Sequence, residues 1–206
     1  MNLPNKLTIS RILMTPVFLA FIVPLPVKLP DAAMLFSLAR AFDSYNNFVL
    51  NGAGRYVAGI VFLIAFLTDA IDGYIARKYD LVTDFGKFLD PIADKLLVAA
   101  ALIALAERGE VSGWAAVIII SREFIVTGFR LVAASGAGLV IEAGKLGKLK
   151  TVTQFIALSL ALFDNFPLSL FLGFRFSDAF MFAAVVLTVV SGAQYIIANK
   201  HILGNK

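Results

Sequence analysis

The stretch TDAIDGYIARKYDLVTDFGKFLDPIADK, Thr68 to Lys95, sets four aspartates, Asp69, Asp72, Asp90 and Asp94, at or near the ends of strongly apolar segments. The chain around it has 206 residues, of which 60% are hydrophobic and 16% charged. Its mean hydropathy is +0.87. Placing a carboxylate in apolar surroundings is costly unless a partner compensates its charge. Four of them this close together therefore ask for a partner, and the apolar segments decide what kind of fold must supply it.

Several of those segments exceed what a soluble core helix needs, and apolar runs of about 18 or more residues read as membrane-spanning helices. The expected fold is an all-α integral membrane protein, one domain over residues 1–206, with about six transmembrane helices and a short N-terminal interfacial segment. That segment covers Asn2 to Ser10, and the first span covers Thr8 to Val23, where Pro24, Pro26 and Pro30 stop it. A long loop, Val27 to Arg55, follows, and its Ala32–Phe42 stretch has the apolar spacing of a helix lying at the interface. The remaining spans are expected over Tyr56–Ala76, Asp84–Ala106, Trp114–Ala134, Thr151–Phe163 and Asp178–Ala198, the fifth extending back toward Leu146. Arg77 to Thr83 forms a short connector, and Glu107–Gly113 and the Gly-rich, basic Ser135–Lys150 are loops. Trp114 suits an aromatic belt.

Six spans leave both termini on one side. With the N-terminus in the cytoplasm, thirteen of the eighteen Lys and Arg residues fall inside and five outside, the asymmetry expected of a cytoplasmic N-terminus. The same bias accounts for the net charge of +4, so no nucleic-acid partner is expected. The absence of cysteine excludes disulfides and thiolate metal sites. The single His201, near the C-terminus, reads as inert, and a histidine-based metal site needs more ligands than the chain owns. The N-terminus lacks the basic start and the small-residue cleavage site of a signal peptide.

The aspartates then lie at the cytoplasmic face. Asp69 and Asp72 share one helix face and Asp90 and Asp94 another. The connector is short, so the two helices are expected to be antiparallel neighbours whose carboxylate faces meet. Four carboxylates in one pocket repel strongly at low dielectric. Hard oxygen donors suit Mg²⁺, Mn²⁺ or Ca²⁺, and four negative charges balance two divalent ions. Two metals about 4 Å apart are a device for displacement at phosphorus. Gly73, Ala76 and Gly86 keep the same faces clear for a ligand, or else let the two helices pack closely.

The pattern Asp69-x2-Asp72-Gly73-x2-Ala76-Arg77-x8-Gly86-x3-Asp90-x3-Asp94 places eight fixed residues within 26 positions. It resembles, without departure, the signature of the CDP-alcohol phosphotransferase family. The flanks Asn2–Ile12 and Gly144–Gln154 resemble the bacterial branch that makes phosphatidylglycerophosphate, although the Val27–Arg55 loop is longer than that branch leads one to expect. The resemblance implies transfer of the phosphatidyl group from CDP-diacylglycerol to sn-glycerol 3-phosphate, releasing CMP. It implies two Mg²⁺ or Mn²⁺ ions held by Asp69, Asp72, Asp90 and Asp94, with Asp94 also the general base. It implies Gly73, Ala76, Arg77 and Gly86 at the nucleotide, and a homodimer in the cell membrane with its active site toward the cytoplasm.

The second substrate is an anion and needs cations. Arg122 and Arg130, eight apart in the fourth span, lie on roughly one side of their helix and are the expected phosphate grip. Lys145, Lys148 and Lys150 follow, either as further phosphate contacts or as ordinary positive-inside charge near anionic lipid. Arg122 has the alternative of pairing only with its neighbour Glu123. Two other functions compete. The same chemistry with another acceptor, such as inositol phosphate or serine, is not separated by the signature, which reads the CDP half. A divalent-cation transporter would place its aspartates near the midplane rather than at helix ends.

Overall fold

The computed structural model describes residues 3–25, 36–78, 84–137, 144–171 and 173–204, and among these every long element is an α-helix. The helices are α1 (Leu3–Ile22), α2 (Phe36–Leu50), α3 (Ala53–Lys78), α4 (Asp84–Glu107), α5 (Gly113–Ala137), α6 (Lys145–Leu162) and α7 (Phe176–Gly204). A single 3-10 turn, Leu168–Leu170, lies between the last two. Each predicted span falls on one of these helices, with Val23 and Phe163 one residue beyond the ends of α1 and α6. Four boundaries differ, each for a local reason.

The N-terminal segment is continuous with the first span, because no helix breaker separates Asn5 from Ser10; Thr8, Arg11 and Thr15 share a buried face of α1. The expected loop Val27–Arg55 contains α2, which is longer than the predicted Ala32–Phe42 helix. Gly52, at φ +95°, breaks the chain between α2 and α3, which meet at 66°; positive φ is cheap only for glycine. Arg55 is consequently a residue of the first turn of α3 rather than a loop charge. The basic segment Ser135–Lys150 is helical at both ends, since α5 runs to Ala137 and α6 begins at Lys145, so the fifth predicted span, now α6, does reach back toward Leu146. In the connector, Arg77 and Lys78 belong to α3, while residues 79–83 lie outside the described residues.

The helices pack as a bundle in which α1, α4 and α6 finish, and α3, α5 and α7 begin, at one end. The most extensive pairings are α6 with α7, α1 with α3, and α1 with α4, followed by α5 with α7 and α4 with α5. Phe18, Ile22, Phe62, Leu102, Leu105, Ile119, Leu158 and Leu162 are fully buried at the centre. One end is fastened by buried charge. Arg55 donates through Nε to the Leu162 carbonyl at 3.2 Å and pairs with the Glu110 carboxylate. Arg108 donates to Glu110 at 3.1 Å and to the carbonyls of Ile22 and Val49, both at 3.4 Å. Two arginines thus satisfy carbonyls left open at the C-terminal ends of α1, α2 and α6, groups that have no partner within their own helices. At the same end Asn165 accepts the Ser177 N–H at 2.7 Å and donates to the Ser177 hydroxyl at 3.0 Å, tying the end of α6 to the start of α7. The opposite end, where α3 finishes and α4 and α6 begin, carries the aspartates.

Among the described residues, one helix is by itself long and apolar enough to cross a membrane: Phe176–Asn199, with mean hydropathy 2.0. Ser37–Leu50 and Ala53–Thr68 meet the same measure jointly across their bend. The other predicted spans fall short of it because they are shorter or carry charge within them: Asp94 and Lys95 in α4, Arg122, Glu123 and Arg130 in α5, and Lys145, Lys148 and Lys150 in α6. Of those charges, Asp94, Lys95, Arg122, Glu123, Arg130 and Lys150 build the site.

Candidate active site

Asp69, Asp72, Gly73, Ala76 and Arg77 stand on the last turns of α3, and Gly86, Asp90 and Asp94 on the first turns of α4. The side chains of Asp69, Asp72, Ala76, Arg77 and Asp90, with the surroundings of Gly73 and Gly86, lie outside the described residues. Asp94 is described. Its side chain is about one-third exposed and is paired with the ammonium of Lys95. Among the described residues α3 packs chiefly on α1, and α4 on α1 and α5, so the two helices meet less directly than a short connector suggests. They come together around a narrow cleft that opens to solvent. Phe62 and Phe66 of α3 form one wall, Asp94 and Lys95 of α4 another, and Glu123, Lys150, Gln154 and Phe155 complete it. Phe155 stacks on both Phe66 and Phe62, with ring centres at 3.7 and 5.9 Å, so the cleft is aromatic on one side and charged on the other.

The charged side is organised by Glu123. Its carboxylate lies 3.1 Å from Lys95 Nζ, pairs with Lys150 Nζ, and stands 3.5 Å from Arg122 Nη1. Glu123 and Lys150 are both buried, Lys150 to 1% exposure. One carboxylate thus links α4, α5 and α6 at the level of Asp94. A buried charge is tolerable only when paired and hydrogen-bonded, and the group satisfies that condition by sharing. Asp94 and Glu123 offset two of the three cations Lys95, Lys150 and Arg122. Among the described residues the remainder, with Arg130, leaves an excess of positive charge beside the cleft, which favours anionic ligands there.

Arg122 and Arg130 do share one pocket. It is open to solvent and lies between α5, the start of α6 and α7, with Ser191, Gln194, Tyr195 and Asn199 on the α7 side. Arg122 Nη2 donates to Ser191 Oγ at 3.2 Å, so Arg122 pairs with Glu123 and also faces the pocket. The lysines divide. Lys145 and Lys148, in the first turn of α6, are exposed and are not among the residues lining either pocket. Lys150 is turned inward onto Glu123 and is not a free phosphate contact.

In the sequence Glu123 stands out only as a neighbour of Arg122, and Asp178–Ala198 only as a span. The signal for Glu123 was an acidic residue inside an apolar span, and for α7 it was Ser191, Gln194 and Asn199 in the most apolar helix of the chain; ionisable and polar groups in such positions point to function. What was missing was which face of each helix looks inward.

Residues 1–190 match the CDP-alcohol phosphatidyltransferase family. A Bacillus subtilis protein named CDP-diacylglycerol–glycerol-3-phosphate 3-phosphatidyltransferase is 46% identical over 202 residues, which cover 96% of this chain and 95% of that protein. A Rickettsia typhi protein of the same name is 35% identical over 199 residues, 97% of each chain. With a match across nearly its whole length and relatives this similar end to end, the chain belongs to the CDP-alcohol phosphatidyltransferase family.

Proposed function

We propose that the protein transfers the phosphatidyl group of CDP-diacylglycerol to sn-glycerol 3-phosphate, giving phosphatidylglycerophosphate and CMP. The observation that carries the acceptor half is the pocket holding Arg122 and Arg130 together beside the Glu123 network. Two guanidinium groups suit a phosphate, which each can grip through two N–H donors. A free alcohol would leave both uncompensated, and the single carboxylate of serine comes with an ammonium that the two guanidinium groups repel. Between phosphorylated acceptors, the names of the full-length relatives favour glycerol 3-phosphate over inositol phosphate.

On this reading Asp69, Asp72, Asp90 and Asp94 hold two divalent ions, Mg²⁺ or Mn²⁺, for which an all-carboxylate oxygen donor set is suited. When bound, such ions supply Lewis acidity to the pyrophosphate and charge stabilisation for the departing CMP. Gly73, Ala76 and Gly86 leave room for the nucleotide, and Arg77 stands by its phosphates. Arg122 and Arg130, with Lys145 and Lys148 contributing longer-range attraction, bring the acceptor phosphate to the cleft. Asp94 accepts the proton of the acceptor's attacking hydroxyl. That oxygen bonds to the lipid phosphorus as the bond to CMP breaks.

The whole chain, 1–206, forms one membrane domain with about six spans, both termini and the active site facing the cytoplasm, and pairs as a homodimer. The reading is supported by the apolar outward face of α7, where Phe182 and Ile197 are exposed, and by the exposed Trp114 at the start of α5. The test is an acceptor panel. Purified protein is given CDP-diacylglycerol, Mg²⁺ and either glycerol 3-phosphate, inositol phosphate, serine or water, and CMP release and lipid product are measured. Product with glycerol 3-phosphate alone is expected. Faster turnover of any other acceptor would reject the assignment.

A further inference from the structure

The two arginines of the acceptor pocket are like charges converging on one space, and they hold their places only if something restrains them. Part of that restraint comes from α7, a helix with no residue in the family signature. Ser191 and Tyr195 are four residues apart and therefore share one face of α7. Ser191 Oγ accepts the Arg122 Nη2 hydrogen at 3.2 Å and itself donates to the carbonyl of the fully buried Thr188 at 3.3 Å. The guanidinium carbon of Arg130 lies 5.4 Å from the centre of the Tyr195 ring, within the range of a cation–π contact. Phe129 braces that ring edge-on, with centres 5.7 Å apart. Between the two tethers is Gly192, where an added Cβ would stand 3.2 Å from Arg122 Cγ; the stem of Arg122 occupies the space that the missing side chain leaves. Both tethers are electrically neutral, so they orient the arginines without cancelling charge that a ligand can use. The charge of Glu123 is shared chiefly between Lys95 and Lys150.

We propose that Ser191, Gly192 and Tyr195 are positioning residues that fix the two guanidinium groups of Arg122 and Arg130 for simultaneous contact with the phosphate of the acceptor, so that α7 sets the preference for a phosphorylated acceptor. Restraining two flexible cations in advance removes an ordering cost from binding. The inference rests on the acceptor reading of this pocket.

The test uses the full-length protein in detergent or vesicles and two readouts. One is the KM for glycerol 3-phosphate beside the KM for CDP-diacylglycerol. The other, independent of turnover, is the dissociation constant of inorganic phosphate. Y195L removes the π face and is expected to weaken glycerol 3-phosphate and phosphate together by roughly fivefold to thirtyfold, as loss of a desolvated cation–π contact implies. The value for CDP-diacylglycerol should stay within about twofold, below the smallest loss that such a contact implies. Y195F keeps the ring and should restore most of the affinity. G192A, which pushes on Arg122, should act in the same direction as Y195L and takes its place if that variant does not fold. Equal behaviour of Y195F and Y195L, or equal weakening of both substrates, would overturn the proposal. R130A separates the two levels. If R130A leaves phosphate and glycerol 3-phosphate binding unchanged, the acceptor reading fails. If R130A weakens them while Y195L and G192A do not, the acceptor reading stands and the role of α7 is refuted.

Discussion

Replacing Glu123 by glutamine should destabilise the protein more than removing either lysine it holds. The variant keeps the shape of the side chain and removes its charge. Glu123 is the carboxylate shared by Lys95, Lys150 and Arg122, and for Lys150, at 1% exposure, it is the sole carboxylate partner among the described residues. Losing one member of a buried ion pair and leaving the other uncompensated costs about 3–5 kcal/mol. At roughly 2–4 °C per kcal/mol for a chain of this size, the melting temperature should fall by about 6–20 °C. K150M removes the ammonium and leaves an apolar side chain of similar volume, while Glu123 keeps Lys95 and Arg122, so its cost should be clearly smaller. The double variant E123Q/K150M removes both charges, and Lys95 retains Asp94, so it should recover stability relative to E123Q, with a coupling of about 0.5–3 kcal/mol. Thermal unfolding of the four proteins in one detergent measures this cycle. The reasoning is refuted if K150M costs as much as E123Q, or if E123Q melts within about 2 °C of the parent, less than 1 kcal/mol at the same scale.

The other expectations concern chemistry and the far end of the bundle. Chelation with EDTA should abolish transfer and Mg²⁺ or Mn²⁺ should restore it; full turnover in metal-free buffer would contradict the two-metal reading. D94N should lower kcat by about 10²- to 10⁴-fold, the range for loss of a general base, with CDP-diacylglycerol binding largely retained. D69N should instead weaken metal and nucleotide together, and identical behaviour of the two variants would end the division of roles. R55M removes the hydrogen bond to Leu162 and the pairing with Glu110, which keeps Arg108; about 1.5–3 kcal/mol of stability should be lost for the charged hydrogen bonds. Its activity below the new melting temperature should persist, because the residue stands at the end of the bundle away from Asp94.

Much was already legible in local sequence. Helical spans follow from apolar runs, and their ends from Pro24 and from the polar Glu107–Gly113 stretch, because hydropathy and backbone preference act over one or two turns, whereas the break at Gly52 was hidden inside an expected loop. The aspartate signature was readable for the same reason: fixed spacing along a helix places carboxylates on a common face whatever surrounds them. Arg122 and Arg130 were found because a cation in an apolar run is conspicuous, and their common pocket follows from an eight-residue separation on one helix. What the tertiary structure alone decided is the partner of each charge. Lys145, Lys148 and Lys150 look alike in sequence, yet two are exposed and the third is buried on Glu123, because α6 begins at Lys145 and its rotation turns only Lys150 inward. Arg55 and Glu110 are 55 residues apart and Arg122 and Ser191 are 69 apart, pairings that no periodicity announces. Helix formation is governed by neighbours in the chain, but the energy of a buried charge depends on what packs around it. That is settled only when helices distant in sequence are brought face to face.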